Sequence, residues 1–133
     1  MTHISEIHIR FGDIDAMGHV NNSIYLQYFE QARMLWFKEM IGSDWNWTTD
    51  GIVLAHCEID YKQPLYLHDR AVIETSIEQL GRASFTVGYR IIKTEDDREL
   101  LVATGNTVLV CFDHQSQKAK SIPKEWRKRM SAT

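Results

Sequence analysis

The chain contains little cysteine and proline, with two of each among its 133 residues. Cys57 and Cys111 are far apart, and each lies in an apolar, strand-like run, which predicts two buried free thiols rather than a disulfide or a metal pair. The opening residues have neither the basic nor the apolar region of a secretory signal. Together these features predict a cytoplasmic protein.

Long hydrophobic runs and an excess of basic residues are also missing. No apolar run approaches the roughly 20 residues that a membrane span requires, so we expect no membrane partner. The net charge of −3 gives no support to nucleic-acid binding. Metal-ligand spacings such as His-x-x-x-His and the serine-hydrolase pattern Gly-x-Ser-x-Gly are absent. We therefore expect no metal and no cofactor, and the length fits a single domain over residues 1–133.

The most informative stretch is a polar loop that leads into a long apolar segment. Residues 10–22 read RFGDIDAMGHVNN and combine two carboxylates, a histidine and two asparagines with two glycines. The following residues, 23–40, are apolar around most of a helical circumference, which predicts a largely buried helix. Asn22 or Ser23 can cap its start, and Gly42 can supply the left-handed residue beyond its end. Backbone N–H groups at a helix start lack partners, so this junction is a candidate site.

The remainder of the chain alternates between apolar and polar residues with a period of two, which predicts strands. Strands are expected near residues 4–10, 52–62, 71–80, 84–93 and 99–112, with a short basic helix or tail at 124–130. In the second of these, Val53, Ala55, Cys57, Ile59 and Tyr61 are predicted to share one face. One long helix with about five antiparallel strands predicts an α+β fold. Bare sheet edges invite pairing, so a homo-oligomer is expected.

Five segments in this order resemble the hotdog-fold thioesterases, specifically the 4-hydroxybenzoyl-CoA thioesterase-like acyl-CoA thioesterases. The resemblance implies an antiparallel sheet of about five strands wrapped around one long central helix, in a homodimer or homotetramer. It also implies hydrolysis of an acyl-CoA thioester to a free carboxylic acid and CoA. The matching segments are Phe11-Gly-Asp-Ile-Asp15, Gly18-His-Val-Asn-Asn22, Asp60-Tyr-Lys-Gln-Pro64, Leu80-Gly-Arg-Ala-Ser84 and Ser121-Ile-Pro-Lys-Glu-Trp126.

Two details limit what the resemblance implies about the substrate. The His-Val-Asn-Asn form at residues 19–22 is also similar to long-chain acyl-CoA thioesterases and to plant acyl-carrier-protein thioesterases. It differs from the Gly-Ile-Val-type segment of the founding aroyl-CoA enzyme, so aroyl specificity is not implied. His68 replaces the glycine that is common before Asp69. Acyl chain length and the carrier, CoA or acyl carrier protein, stay open.

The resemblance assigns the catalytic carboxylate to Asp15, four residues before His19. Asp15 would attack the thioester carbonyl or act as general base on water. The alternative is that Asp15 only caps the loop. Asp13 is the weaker candidate, for which a structural turn role is favoured. The backbone N–H of Asn22, or of a neighbour within one residue, would stabilise the oxyanion.

Two further loop residues have paired interpretations. His19 would orient Asp15 or contact the thioester, or it would serve the loop structure alone. Asn21 would bind the carbonyl or order the attacking water, or it would cap the helix. Glu58 is a remote alternative to Asp15, because alternation places it on the face opposite Cys57 and Ile59.

Substrate contacts are expected along the helix and at a turn. Tyr25 would line an acyl pocket at a subunit interface, although aromatic residues at helical spacing are more often core. Arg82 and Ser84 would contact coenzyme A, because they lie at the turn that the family uses for this ligand; the alternative is a solvated turn without a ligand.

A non-catalytic acyl-thioester binding module is the second functional hypothesis, and a pure binder has no need of Asp15. The His-Phe-Pro segment of the related dehydratases is absent.

Overall fold

The computed structural model describes residues 2–132. Within them, six strands form one antiparallel sheet with the order β1-β3-β4-β5-β2, and β6 pairs with β5. This architecture confirms the α+β prediction. The elements are β1 (His3–Ile7), a 3-10 turn (Phe11–Asp13), α1 (Ile24–Ile41), β2 (Gly51–Tyr61), β3 (Arg70–Leu80), β4 (Ser84–Glu95), β5 (Arg98–Asp113), β6 (Lys118–Ala119) and α2 (Lys124–Ser131).

The core lies between α1 and one face of the sheet. Strand β4 supplies the predicted alternation, because Phe85, Val87, Tyr89 and Ile91 are all fully buried. Tyr89 stacks on Phe29 of the helix with 4.1 Å between ring centroids. Closer to the helix C-terminus, Phe37 packs edge-on against Phe85. The helix therefore runs along the strands, and its 18 residues separate its two ends by about 27 Å.

The prediction that α1 is largely buried is wrong for the single chain. One side of the helix is buried, while Leu26, Met34 and Leu35 are 36%, 47% and 51% exposed. Sequence periodicity placed apolar residues around most of the helix, but the sheet covers only one side of it. Leu26 and Leu35 therefore remain as exposed apolar side chains on opposite flanks of α1, and Met34 lies between them among the exposed polar residues Gln27, Gln31 and Lys38.

The predicted face of β2 is also wrong, because the strand contains a β-bulge. The register with β5 shifts between Leu54 and His56. Leu54 lies opposite the buried Leu109, whereas Cys57 lies opposite the buried Thr107. Residues directly opposite each other share a face, so even-numbered residues face α1 before the bulge and odd-numbered residues face it afterwards. Val53 therefore points away from the face that Cys57, Ile59 and Tyr61 share.

The two cysteines differ in environment. Both thiols are free, as predicted, but Cys57 is exposed and only Cys111 is buried. Burial raises the pKa of the Cys111 thiol to about 11. Cys57 lies in β2, whose outer edge is paired with no other strand of residues 2–132.

The basic segment at the C-terminus forms a helix that completes the core. In α2, Trp126 and Met130 are buried, while its basic residues stay at the surface. Arg129 Nη1 donates to the carbonyl of Met40 over 2.8 Å, which ties α2 to the C-terminal end of α1. Among the helices of residues 2–132, none combines the length and the apolar character of a membrane span.

Candidate active site

A tight turn between the 3-10 turn and α1 places Asp15 at the surface. The N–H of Asp15 donates to the carbonyl of His19 over 3.0 Å, and Gly18 N–H donates to the carbonyl of Asp15 over the same distance. Gly18 adopts φ of +88°, which only glycine reaches without strain. A bridge between Ile14 and Val20 closes the base of the turn. The loop is therefore ordered by its own backbone hydrogen bonds.

Both oxygens of the Asp15 carboxylate accept a hydrogen bond. The backbone N–H of Met17 donates to Oδ1 over 2.9 Å, and the side-chain amide of Asn21 donates to Oδ2 over 3.1 Å. The carboxylate is half-buried. It is thus oriented by two donors while part of it remains accessible to a substrate or a water molecule.

The backbone N–H groups just before α1 differ in their acceptors. Asn21 N–H donates to the carbonyl of Asp13, and Ser23 N–H donates to the side chain of Asn21. Between them, the N–H of Asn22 finds no acceptor in the described part of the chain. The prediction that Asn22 or Ser23 caps the helix is wrong, because neither side chain makes a capping hydrogen bond. Asn21 Oδ1 takes this role and bonds both the N–H and the hydroxyl of Ser23.

Asp13 has a different environment from Asp15. Its side chain is buried and accepts hydrogen bonds from the hydroxyl of Tyr28, over 2.7 Å, and from the backbone and guanidinium of Arg10. Burial favours the neutral acid, but these donors outweigh it and hold the pKa of Asp13 below its usual value. Asp13 therefore joins the loop to the core, as the structural interpretation expected.

A pocket of about 340 Å³ opens beside the helix start. Tyr61 donates from its hydroxyl to the carbonyl of Asn22 over 2.8 Å, and its ring packs edge-on against Tyr25. Burial raises the pKa of Tyr25 to about 12, so this phenol is neutral at pH 7. The lining residues are His19, Asn22, Tyr25, Tyr61, Lys62, Gln63 and Pro64.

Other predicted residues take clear positions in or beside this pocket. His19 Nδ1 lies 3.2 Å from the carbonyl of Val20, so one ring nitrogen contacts the loop backbone. Tyr25 is 2% exposed and serves the core as well as the pocket wall. Tyr28, Phe29 and Trp36, three further aromatic residues of α1, are buried in the core of the single chain.

Arg82 and Ser84 lie far from Asp15. Arg82 Nη1 donates to the hydroxyl of Ser121 over 2.8 Å, beside α2 and the C-terminal end of α1. The N–H of Gly81 donates to the carbonyl of Ser84, which closes the predicted hairpin turn. Asp15 sits at the other end of the helix, about 27 Å away by the helix length. One chain therefore brings Asp15, His19, Asn21, Asn22 and Tyr25 together and leaves this turn separate.

Glu58 lies outside the site, as its alternation predicted. It is opposite Asn106, on the face of the sheet that points away from α1. Its carboxylate pairs with His56 over 2.9 Å at the surface. Within residues 2–132, no group of three or more histidine, cysteine or carboxylate side chains could hold a metal ion.

The sequence analysis did not assign residues 61–64 to the pocket, and Tyr61 is the one that contacts the helix start. Tyr61 was assigned only to a strand face, yet its hydroxyl reaches the helix start. The signal was available, because Tyr61 belongs to the matching segment Asp60-Tyr-Lys-Gln-Pro64 and stands where proline ends the strand.

Comparisons with known proteins agree with this geometry. The family described as "Thioesterase-like superfamily" matches residues 9–130. The chain is 33% identical over 119 residues to the 1,4-dihydroxy-2-naphthoyl-CoA hydrolase of Synechococcus elongatus, covering 86% of this chain and 85% of that protein. It is 29% identical over 129 residues to the long-chain acyl-CoA thioesterase FadM of Escherichia coli, covering 95% of each.

The fold has a close counterpart among solved structures. A thioesterase of Thermus thermophilus, solved with coenzyme A and zinc, is 30% identical and superposes with a TM-score of 0.83, covering 97% of this chain and 91% of that one. These matches confirm the hotdog fold and the prediction of a thioester hydrolase, while the catalytic residues stay predictions. The chain belongs to the thioesterase-like superfamily.

Proposed function

We propose that the protein hydrolyses an acyl-CoA thioester to a carboxylic acid and CoA, with Asp15 as the catalytic carboxylate. One observation carries the assignment. The Asp15 carboxylate is held by Met17 and Asn21 beside the helix start, where the N–H of Asn22 has no acceptor within residues 2–132. A carboxylate and a free N–H at one point are what attack on a carbonyl and stabilisation of the resulting oxyanion require.

The proposed reaction has two forms that share these groups. In one, Asp15 attacks the thioester carbonyl, the CoA thiolate leaves, and water hydrolyses the mixed anhydride to release the acid. In the other, Asp15 takes a proton from a water molecule that attacks the carbonyl directly, and the tetrahedral intermediate collapses to the carboxylic acid as the C–S bond breaks and the CoA thiolate leaves. In both, the N–H of Asn22 and the helix dipole stabilise the negative charge that develops on the carbonyl oxygen.

The surrounding residues support this chemistry without being reactive themselves. Asn21 orients Asp15 through its side-chain amide. His19 and Tyr25 line the pocket at the point where the thioester would enter. Tyr61 holds the carbonyl of Asn22, which fixes the direction of the following peptide at the helix start.

The substrate we propose is an acyl-CoA, bound between two copies of the chain. Arg82 and Ser84 lie near one end of α1 and Asp15 lies near the other, and the helix is about 27 Å long, so one ligand meets both groups most directly if the turn comes from a second protomer. The free edge of β2 and the exposed apolar side chains of α1 give such a protomer a surface to bind. The resulting homo-oligomer is at least a dimer. CoA is favoured over acyl carrier protein because both relatives described above are named for CoA thioesters.

Release of free thiol from a panel of acyl-CoAs tests the proposal. The panel contains short, medium, long and aromatic acyl groups, and Asp15→Asn is compared with the wild-type protein. The variant keeps the shape of the side chain and removes its charge, so kcat should fall by about 100-fold or more. Glu58→Gln is the matched control, because it removes a surface carboxylate on the other face of the sheet and should leave kcat unchanged.

Each other outcome has a definite meaning. Full activity in Asp15→Asn would support thioester hydrolysis as the reaction but would reject Asp15 as the catalytic carboxylate. Binding of acyl-CoA without turnover by the wild-type protein would favour the binding-module hypothesis. If the protein hydrolysed only thioesters of acyl carrier protein, the proposed mechanism would stand, and the substrate would be acyl-acyl carrier protein instead of acyl-CoA.

A further inference from the structure

Lys93 is a buried cation near the end of β4. Only 2% of the residue is exposed, and its ammonium group faces three oxygens. Nζ lies 2.8 Å from the carbonyl of Pro64, 3.3 Å from Asp69 Oδ2 and 3.5 Å from Glu95 Oε2. It also lies 5.2 Å from the ring centroid of Tyr66. An ammonium has three N–H donors, and burying it is costly unless they are satisfied, so these contacts fix its position.

The shortest of these contacts holds a segment that borders the candidate site. Leu65, which follows the bonded Pro64, is fully buried, and its carbonyl accepts the N–H of Val20 over 2.8 Å. Tyr61, at the beginning of the same segment, donates from its hydroxyl to the carbonyl of Asn22. Residues 61–65 therefore contact the loop of Asp15 and the start of α1 through two hydrogen bonds.

We propose that Lys93 is a positioning residue for thioester hydrolysis, which it serves by fixing residues 61–65 against the start of α1. The inference rests on the proposed function. Lys93 touches no catalytic group itself and acts through the carbonyl of Pro64. A shift of this segment would move Val20, and with it the neighbouring His19 and Asn21, relative to the thioester. Displacements of about 1 Å at a reacting centre can cost on the order of 100-fold in rate.

A purely structural role makes a different prediction. If Lys93 only stabilises the fold, its replacement lowers the unfolding midpoint, and the folded fraction keeps the wild-type kcat. If Lys93 positions the site, kcat falls in fully folded protein while KM changes little, because the coenzyme A contacts lie elsewhere. Activity is therefore measured well below the unfolding midpoint of each variant.

The test compares Lys93→Met, which keeps most of the side-chain length and removes all three donors, with Arg90→Met. Arg90 is also a cation of β4, but it pairs with Glu74 over 2.8 Å at the surface. We expect Lys93→Met to lower kcat by about tenfold or more, with KM within about twofold of wild type. We also expect faster hydrogen exchange of the Val20 N–H, since its acceptor lies in the released segment. Arg90→Met should leave kcat, KM and the hydrogen exchange of the Val20 N–H unchanged.

A second variant covers the case in which Lys93→Met does not fold. Lys93→Gln is also uncharged and one bond shorter than lysine, but its amide group keeps two donors for the surrounding oxygens, although it reaches Pro64 less well. It should lower kcat and speed the exchange of Val20 in the same direction. Wild-type kcat and wild-type Val20 exchange in either folded variant would overturn the proposal. A wild-type protein inactive on every thioester would reject the proposed function, and Val20 exchange would then still show whether Lys93 fixes the segment.

Discussion

The side-chain amide of Asn21 lies 3.1 Å from Asp15 Oδ2, and the other end of the same amide bonds the N–H and hydroxyl of Ser23. Asn21 thus connects the candidate catalytic carboxylate to the first residue before α1. The sequence suggested substrate binding or capping for Asn21. In the structure, Asn21 Oδ1 accepts two hydrogen bonds from Ser23, and the amide nitrogen adds a contact with Asp15 that neither interpretation contained.

This contact predicts a change in pH dependence for Asn21→Asp. The substitution keeps an oxygen for Ser23 but places a second carboxylate against Asp15. Two like charges at hydrogen-bond distance raise the pKa of the pair, so the acid limb of the kcat profile should move to higher pH by about one unit or more. Activity at pH 6 should fall more than activity at pH 9. Steady-state kinetics across this range measure the shift.

Asn21→Ala separates the charge from the lost hydrogen bond. It removes the donor to Asp15 without adding a carboxylate, so kcat should fall without the upward shift that Asn21→Asp produces. If both variants gave the same pH profile, the contact between Asn21 and Asp15 would have no electrostatic consequence for the reaction.

Asp13 should make stability, rather than catalysis, depend on pH. Hydrogen bonds from Arg10 and Tyr28 lower its pKa in the folded protein despite its burial. A lowered folded-state pKa stabilises the protein at every pH above the unfolded value near 3.8, and this stabilisation is lost as the pH falls through the folded value. Asp13→Asn should therefore cost about 1–3 kcal/mol of unfolding free energy at pH 7. The difference from wild type should shrink below pH 4.

Urea unfolding of the two proteins between pH 7 and pH 3 measures this difference. Asp113 also has a lowered pKa, because Gln115 N–H donates to it, but it is present in both proteins and cancels. A difference that stayed constant down to pH 3 would mean that the charge of Asp13 contributes nothing to stability.

The parts of the fold that depend on local patterns were predictable. Strand β4 alternates without interruption, and Phe85, Val87, Tyr89 and Ile91 are buried as predicted. Gly42 takes φ of +82° just beyond α1, as expected for a residue that ends a helix. In both cases, the residue type and its immediate neighbours determine the conformation.

The wrong predictions concern features that a local sequence pattern does not contain. The bulge after Leu54 reverses the faces of β2, and nothing in the alternation of residues 52–62 marks the extra residue. The apolar residues around most of the circumference of α1 predicted that the helix is largely buried, whereas one chain supplies a sheet for one side only. The separation of Arg82 from Asp15 follows from the direction of β3 and β4 along the helix, which depends on tertiary structure.

That separation gives the sharpest test of a site shared between protomers. Asp15→Asn disables the proposed catalytic end, and Arg82→Ala disables the proposed coenzyme A end. If one site combines Asp15 of one protomer with Arg82 of its partner, a mixed dimer has one intact site and one site with both defects. Random mixing in equal amounts should then restore about a quarter of the wild-type sites, because half of the dimers are mixed.

The measurement is kcat/KM with a long-chain acyl-CoA, after the two variants have been unfolded together and refolded. Mixing should raise kcat/KM above the average of the separate variants, and mixing either variant with itself should not. If Asp15 and Arg82 of the same protomer formed the site, a mixed dimer would contain one site with each defect. Activity would then equal the average of the two variants, and the site shared between protomers would be rejected while Asp15 kept its role.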